Sequence, residues 1–303
     1  MPKFGRKYIL TIFPAYNVTK DRTLTPSTED PIQVTDPITL EFNVRRMFTT
    51  SSGSSVFRLY NLSKDKRNRI VKSELDTAHF RKVTLQAGYE YPLPIIFSGN
   101  IKKAYSFKEE GSTNFITQIE ASDFGFAMST CFSNFTLNNV AKNDIIDKLV
   151  DDMKNGYVSR GVVTDYTETG CRASVCGSTW EKLCSETSDN CFIDNGKVNI
   201  LKDDEVFEGS IPELSADTGL LATPKMDGLI LTADMLFEPG LVIGQLIKLN
   251  SQTASQINGQ SFNADYRING IIHQGVISGA VNGKCKTTAT LFSGMRIFNI
   301  INT

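Results

Sequence analysis

A chain that carries one pattern of strands twice has few ways to fold, and this sequence carries such a pattern. The first copy begins Val56-Phe-Arg-Leu-Tyr-Asn-Leu62 and continues through Lys82-Val-Thr-Leu-Gln-Ala-Gly-Tyr-Glu90. Next comes Ile95-Ile-Phe-Ser-Gly-Asn-Ile101, answered across Lys108-Glu-Glu-Gly111 by Asn114-Phe-Ile-Thr-Gln-Ile-Glu-Ala121. The second copy has the short segments Gly228-Leu-Ile-Leu-Thr232 and Leu246-Ile-Lys-Leu-Asn250. They lead to Tyr266-Arg-Ile-Asn-Gly-Ile-Ile-His273, answered across Asn282-Gly283 by Lys286-Thr-Thr-Ala-Thr-Leu291. Apolar and polar residues that alternate between Gly, Pro and Asn clusters mark half-buried antiparallel strands. Each copy therefore has short strands and then a long hairpin entered through a glycine, Gly99 or Gly270. Two similar β modules are expected.

A length of 303 residues exceeds what one ordinary core organises, so two or three domains are expected. Shifts in residue pattern place them at 1–126, 127–206 and 207–303. The formal net charge of -1 offers no global attraction to nucleic acid or an anionic membrane. No apolar run approaches the roughly 18 residues that a membrane helix needs. The stretch from Lys3 to Phe13 mimics a signal peptide, but its apolar part is short and meets Pro14. It is expected to be a first β-strand, in a cytosolic product without a targeting segment.

Thr23 to Pro37 holds three prolines and is expected to be an exposed loop, and Ser51 to Ser55 a flexible turn. Lys64 to Lys72 fits a short helix capped by Ser63, with a solvated basic face. The middle of the chain changes character. Leu137, Ala141, Ile145 and Leu149 recur at helical spacing, and Asn155-Gly156 suits a left-handed helix end. A second helix is expected from the capping box Ser178-Thr-Trp-Glu181. Cys191 to Leu201 suits a hairpin with Asn195-Gly196 in its turn. This gives a small α+β unit from about Gly125 to Val206. Beyond it, Gln252 to Gln260 is polar and suits a loop. Arg296 to Ile301 is an apolar tail that either packs on its own module or reaches a neighbour.

Candidate chemistry is sparse. Cys171, Cys176, Cys184 and Cys191 crowd together and are weak candidates for a metal site, because their spacing lacks the usual Cys-x2-Cys knuckle. A disulfide is the second alternative and plain packing the preferred one, since Cys184 falls on an apolar helical stripe. The two histidines suit an exposed side chain (His79) and a strand residue satisfied by a backbone partner (His273). The acidic pairs Glu109-Glu110 and Asp151-Asp152 suit a turn and a helix surface rather than a glycosidase site. No catalytic residue and no cofactor is expected.

The order of segments resembles the baseplate hub proteins of contractile-tailed bacteriophages. This group is related to the phage late control protein and to the hub part of type VI secretion spikes. The likeness rests on Val56 to Ser63, Val83 to Glu90, Ile95 to Ile101 and Ile119 to Asp123. It continues in Thr218 to Pro224, Glu238-Pro-Gly240, Ile247 to Ser251 and His273-Gln-Gly275. The resemblance implies a mainly β fold, with two tube-type antiparallel β-barrels flanking a small α+β domain. It also implies a trimeric ring of pseudo-six-fold symmetry that joins a tail tube to a central spike around a DNA channel. Val83, Leu85, Ala87, Tyr89, Phe97, Ile101, Leu246, Leu249, Ile268 and Ile271 would then belong to strands of the tube wall. The implied partners are further copies of the chain, a separately encoded spike, a tube or tube-initiator protein, the tape-measure protein and baseplate wedges. The implied location is the virion tail baseplate, reached from the host cytoplasm during assembly. The competing expectations are a binding module for a surface carbohydrate or peptide and a cell-wall hydrolase.

Overall fold

The computed structural model describes residues 5–18, 24–76, 79–252, 262–279, 283–292 and 298–301. Strands come first: β1 (Lys7–Val18), β2 (Leu24–Pro26), β3 (Ile32–Thr35), β4 (Leu40–Met47) and β5 (Ser54–Tyr60). The helix α1 (Lys64–Ile70) is followed by β6 (His79–Gly88), β7 (Ile95–Lys108) and β8 (Phe115–Ser122). The middle region holds α2 (Gly125–Thr130), β9 (Phe132–Val140), α3 (Lys142–Met153) and β10 (Ser159–Val163). It continues with β11 (Cys171–Ser178), α4 (Thr179–Glu186), β12 (Cys191–Asp194) and β13 (Lys197–Ile200). The chain then returns to strands: β14 (Glu205–Phe207), β15 (Glu213–Leu214), β16 (Lys225–Asp227) and β17 (Ile230–Leu236). It ends with β18 (Leu246–Leu249), β19 (Ala264–Ile277), β20 (Cys285–Phe292) and β21 (Asn299–Ile301). The fold is mainly β, with a small α+β unit between two similar antiparallel modules.

The two modules share one sheet, in the order β16-β17-β20-β19-β4-β5-β8-β7-β6-β1-β2. Within it the duplication is register-true. In β7–β8, Ile101 opposes Ala121, Lys102 is bulged out, and Lys103 opposes Glu120. In β19–β20, Ile268 opposes Leu291, Asn269 is bulged out, and Gly270 opposes Thr290. The neighbouring pairs agree: Leu85 opposes Phe97 where Leu249 opposes Ala264, and Val56 opposes Glu120 where Thr232 opposes Thr290. β6, β7, β8 and β5 thus correspond to β18, β19, β20 and β17.

Alternation fixes which face is inside. Leu40, Phe42 and Val44 on β4 and Thr287, Ala289 and Leu291 on β20 point inward, and the residues between them are more open. A slip of one residue would turn every one of them outward, which makes the register costly to change. Three buried clusters result. One centres on Leu10, Phe57 and Phe97, one on Leu149, Trp180 and Leu183, and one on Leu231, Ile268 and Leu291.

Several expectations require correction. Leu137 belongs to β9 and not to a helix; Phe132–Val140 pairs with β11, and α3 begins only at Lys142, where the Asp144 carboxylate accepts from the Ala141 N–H. The spacing of Leu137 and Ala141 is shared by a strand that runs straight into a helix. The left-handed residue after α3 is Tyr157 rather than Gly156. Gly156 serves another need, since a Cβ there would lie 2.4 Å from the Ala127 Cβ. The proline-rich stretch contains β2 and β3, and Ile32 and Val34 are buried. Ser54 and Ser55 already belong to β5. Gly99 and Gly270 are not equivalent, because the shared bulge aligns Gly270 with Lys103.

Other expectations stand. Ser63 and Ser178 cap α1 and α4, and Asn195-Gly196 turns the β12–β13 hairpin with both residues at positive φ. Asn299–Ile301 of the tail pairs with β14 in parallel. Of the expected loop Gln252 to Gln260, all but Gln252 lies outside the described residues, as does the turn residue Asn282.

Candidate assembly interface

The seam between the modules is built from backbone. Leu40 to Met47 of β4 run antiparallel to Gly270 to Ile277 of β19, with Arg46 opposite Ile271 and Val44 opposite His273. All four of these residues are buried. β19 divides its labour: Ala264 to Arg267 pair with β18, and Gly270 onward pairs with β4.

A buried charge cluster locks the seam to the middle unit. The Arg46 guanidinium donates from Nε and Nη2 to the two carboxylate oxygens of Asp194, at 2.7 and 2.6 Å, and from Nη1 to the Leu241 carbonyl at 3.3 Å. Asp123 lies in the same cluster, and burial with the neighbouring Asp194 raises its pKa well above the usual carboxylate range. One guanidinium thus faces two acidic side chains, of which Asp123 is the one held toward its protonated form. His273 sits beyond Val44 with Nδ1 2.9 Å from the Thr287 hydroxyl, and its ring meets Phe237 edge-on. Its partner is therefore a side chain rather than the expected backbone group. Burial, then Arg46, lowers its pKa to about 3, which keeps the ring neutral. From the other side, Trp180 on α4 donates its indole N–H to the Thr50 carbonyl at 2.7 Å.

Because the modules are register-equivalent, the seam has a counterpart made of open edges. β16 matches Asn43 to Arg45 of β4, since Lys225 opposes Thr232 as Asn43 opposes Val56. Tyr105 to Phe107 of β7 match Ile272 to Gln274 of β19. Among the described residues β16 pairs only with β17. The edge of β7 beyond Ile101 carries one bridge among the described residues, from Ala104 to Lys72. Both edges are flanked by exposed apolar side chains: Phe107 and Phe115 on one, and Leu229, Ile230 and Leu236 on the other. Unpaired strand edges with apolar flanks are built for pairing.

The sheet face turned away from the cores is polar and neutralises itself. Glu41 accepts from Arg58 at 3.2 Å and from the Tyr60 hydroxyl at 2.9 Å. Arg58 also donates to Gln118, which donates in turn to Tyr105 and Glu120. In the second module Asp234 accepts from Lys286 at 3.1 Å and from Thr288.

Of the residues assigned to a tube wall, Val83, Leu85, Ala87, Phe97, Ile101, Leu249, Ile268 and Ile271 are buried within the modules, and Tyr89 and Leu246 are half-buried. Their side chains fill cores, so what these strands can offer a neighbour is backbone. Arg46, Asp194, Asp123 and the β16 edge were missed. A charged residue in line with Leu40, Phe42 and Val44 was the available signal for Arg46. Of the four clustered cysteines, Cys184 and Cys191 come together with Sγ atoms 3.1 Å apart, whereas Cys171 is half-buried and Cys176 exposed on β11. Among the described residues no three His, Cys, Asp or Glu side chains are arranged to hold a metal, and no helix is long and apolar enough to cross a membrane. His79 and both Glu109 and Glu110 are exposed, and Asp151 and Asp152 pair with Lys154 and Lys148.

The whole fold recurs in phage tail proteins of known structure. The 43 kDa tail protein of prophage MuSo2 from Shewanella oneidensis is similar at a TM-score of 0.60 and 11% identity, over 96% of this chain and 99% of that one. A tail protein from Neisseria meningitidis MC58 gives 0.57 and 11%, over 97% and 98%. An Escherichia coli type VI secretion component, described as similar to the bacteriophage T4 tail proteins gp27 and gp5, gives 0.53 and 12%, over 87% and 76%. At such identities the likeness speaks to fold. No curated protein matches the sequence. The family described as Baseplate hub gp41 matches residues 21–271, which runs from β2 through the middle unit and the β16 edge to the first two residues of β19 that pair with β4. The chain therefore belongs to the baseplate hub gp41 family and is a structural component of a phage tail.

Proposed function

We propose that the chain forms a head-to-tail ring of three copies at the hub of a baseplate, in which six β modules surround a channel. The observation that carries this reading is the match between the closed seam and the open edges. Transposing the register of β4 on β19 places Asp227, Met226 and Lys225 of one copy opposite Tyr105, Ser106 and Phe107 of the next. Each copy would then contribute one internal seam and one shared seam of the same kind. Heterologous contacts of this sort close when the rotation completes a circle. Alternating seams of two kinds make the ring three-fold in sequence and near six-fold in shape. The units 1–126, 127–206 and 207–303 are part of this reading, as is a tail tube on one rim and a central spike on the other. The tape-measure protein and baseplate wedges are the remaining neighbours, and the location is the virion baseplate after assembly in the host cytoplasm.

The polar sheet face lines the channel in this arrangement. Two of its cations, Arg58 and Lys286, are already paired with Glu41 and Asp234, which lowers the positive charge left to retain a phosphate backbone in transit.

Light scattering and electron microscopy of the purified chain test the ring. Three subunits around an axial hole are expected, alone or with a candidate spike protein. A monomer under both conditions overturns the reading.

A further inference from the structure

We propose that Cys184 and Cys191 form a dithiol site that closes to an intramolecular disulfide and so cross-links α4 to β12. The two Sγ atoms are 3.1 Å apart, and both side chains are buried. A disulfide bond is about 2.05 Å long, so closure requires a movement of about 1 Å. The turn between them is held by its own hydrogen bonds. The Asp189 N–H donates to the Cys184 carbonyl at 2.8 Å, the Asn190 N–H to the Thr187 carbonyl at 3.1 Å, and the Thr187 hydroxyl to the Leu183 carbonyl at 2.8 Å. Ser188 and Asp189 take left-handed conformations, with φ of 54° and 61°, that bring the chain back toward α4. Two other thiols are differently engaged, Cys131 with the Met153 carbonyl and Cys285 with the Val276 carbonyl. Only Cys184 and Cys191 have a sulfur as the recorded partner among the described residues.

The position gives the bond a mechanical consequence. Cys184 lies one helical turn after Trp180, whose indole holds Thr50 of the first module. Cys191 lies on the strand that ends at Asp194, which holds Arg46. A covalent link between them ties together the two anchors by which the middle unit grips the first β module.

With a peroxide as oxidant the chemistry balances as two thiols and one hydrogen peroxide giving one disulfide and two waters. One thiolate attacks a peroxide oxygen and breaks the O–O bond, leaving a sulfenic acid and releasing the first water. The second sulfur attacks the sulfenic sulfur and expels the second water. A reducing thiol reverses the bond by exchange. The hydrogen bond to Cys191, then burial, push the Cys184 thiol upward, so closure belongs to the slow end of thiol oxidation. The site is independent of the ring.

The test uses the full chain, reduced and then treated with hydrogen peroxide while folded, then unfolded, alkylated with iodoacetamide and cut with trypsin. Cleavage after Lys182 and Lys197 leaves both cysteines in one peptide, Leu183 to Lys197. The expected product is that peptide without alkyl groups and about 2 Da lighter than its dithiol form. Dithiothreitol should restore double alkylation, and Cys184→Ser should leave Cys191 open to the reagent. A peptide that still takes two alkyl groups after peroxide overturns the proposal. So does one whose cysteines gain oxygen instead of joining.

Discussion

Arg46 and Asp194, 148 residues apart in sequence, meet in a two-point ion pair almost sealed from solvent, with N–O distances of 2.7 and 2.6 Å. The pair sits where the seam between the modules touches the middle unit. It commits both charges to one geometry, because the fork of a guanidinium fits a carboxylate in one plane. Removing one partner strands a buried charge. Asp194→Ala is expected to cost about 3–5 kcal/mol, whereas Arg46→Met combined with Asp194→Leu should recover most of the loss. Urea unfolding of the single and double variants measures both.

His273 makes stability depend on pH. Its ring is held neutral with a pKa of about 3, against an ordinary value of 6.5. The unfolded chain therefore binds a proton that the folded chain refuses, between those two values. Stability from this group is fully present above pH 6.5 and falls as the pH drops toward 3, by up to about 1.4 kcal/mol per unit. Asp123 works in the opposite sense, because its raised pKa favours the folded state where its carboxyl is protonated. Comparison with His273→Gln leaves the Asp123 contribution in both proteins. The variant should show a shallower loss of melting temperature between pH 6.5 and 4.5, and a parallel curve would contradict the assignment.

Gly156 closes the end of α3 against α2. A Cβ there would lie 2.4 Å from the Ala127 Cβ and 2.9 Å from the Cys131 Sγ. Gly156→Ala should therefore destabilise the middle unit by about 1–3 kcal/mol through overpacking. The check is thermal unfolding of Gly156→Ala beside the pair Gly156→Ala with Cys131→Ala, in which part of the loss returns.

The two β modules were legible where a strand buries one face, because alternation there carries the register directly. β20, with Cys285, Thr287, Ala289 and Leu291 inside, shows it plainly. The helix starts at Ser63 and Ser178 were legible because a cap is a local hydrogen bond to a backbone two or three residues on. β9 was not. Its residues Phe132, Phe135 and Leu137 gain their strand geometry from pairing with β11, which is distant in sequence. The seam and the open edges were hidden for the same reason. Which strand lies beside β4 is decided by residues more than 200 positions away, and no periodicity within β4 encodes it. Arg46 showed only as a charge in line with Leu40, Phe42 and Val44, and its partner could not be read because Asp194 comes from another unit.

The central claim is that the edge of β16 pairs with the edge of β7 in a neighbouring copy, in the register of the seam. Within one chain six strands separate the two edges along the sheet, a path of roughly 34 Å at the usual strand spacing. The direct measurement is oxidative cross-linking of a variant carrying Met226→Cys and Ser106→Cys, read on a denaturing gel beside each single variant. The account predicts covalent species that end at three copies in the double variant and are missing from either single variant. Cross-linking no stronger than in the single variants, or confined to one chain, would contradict it.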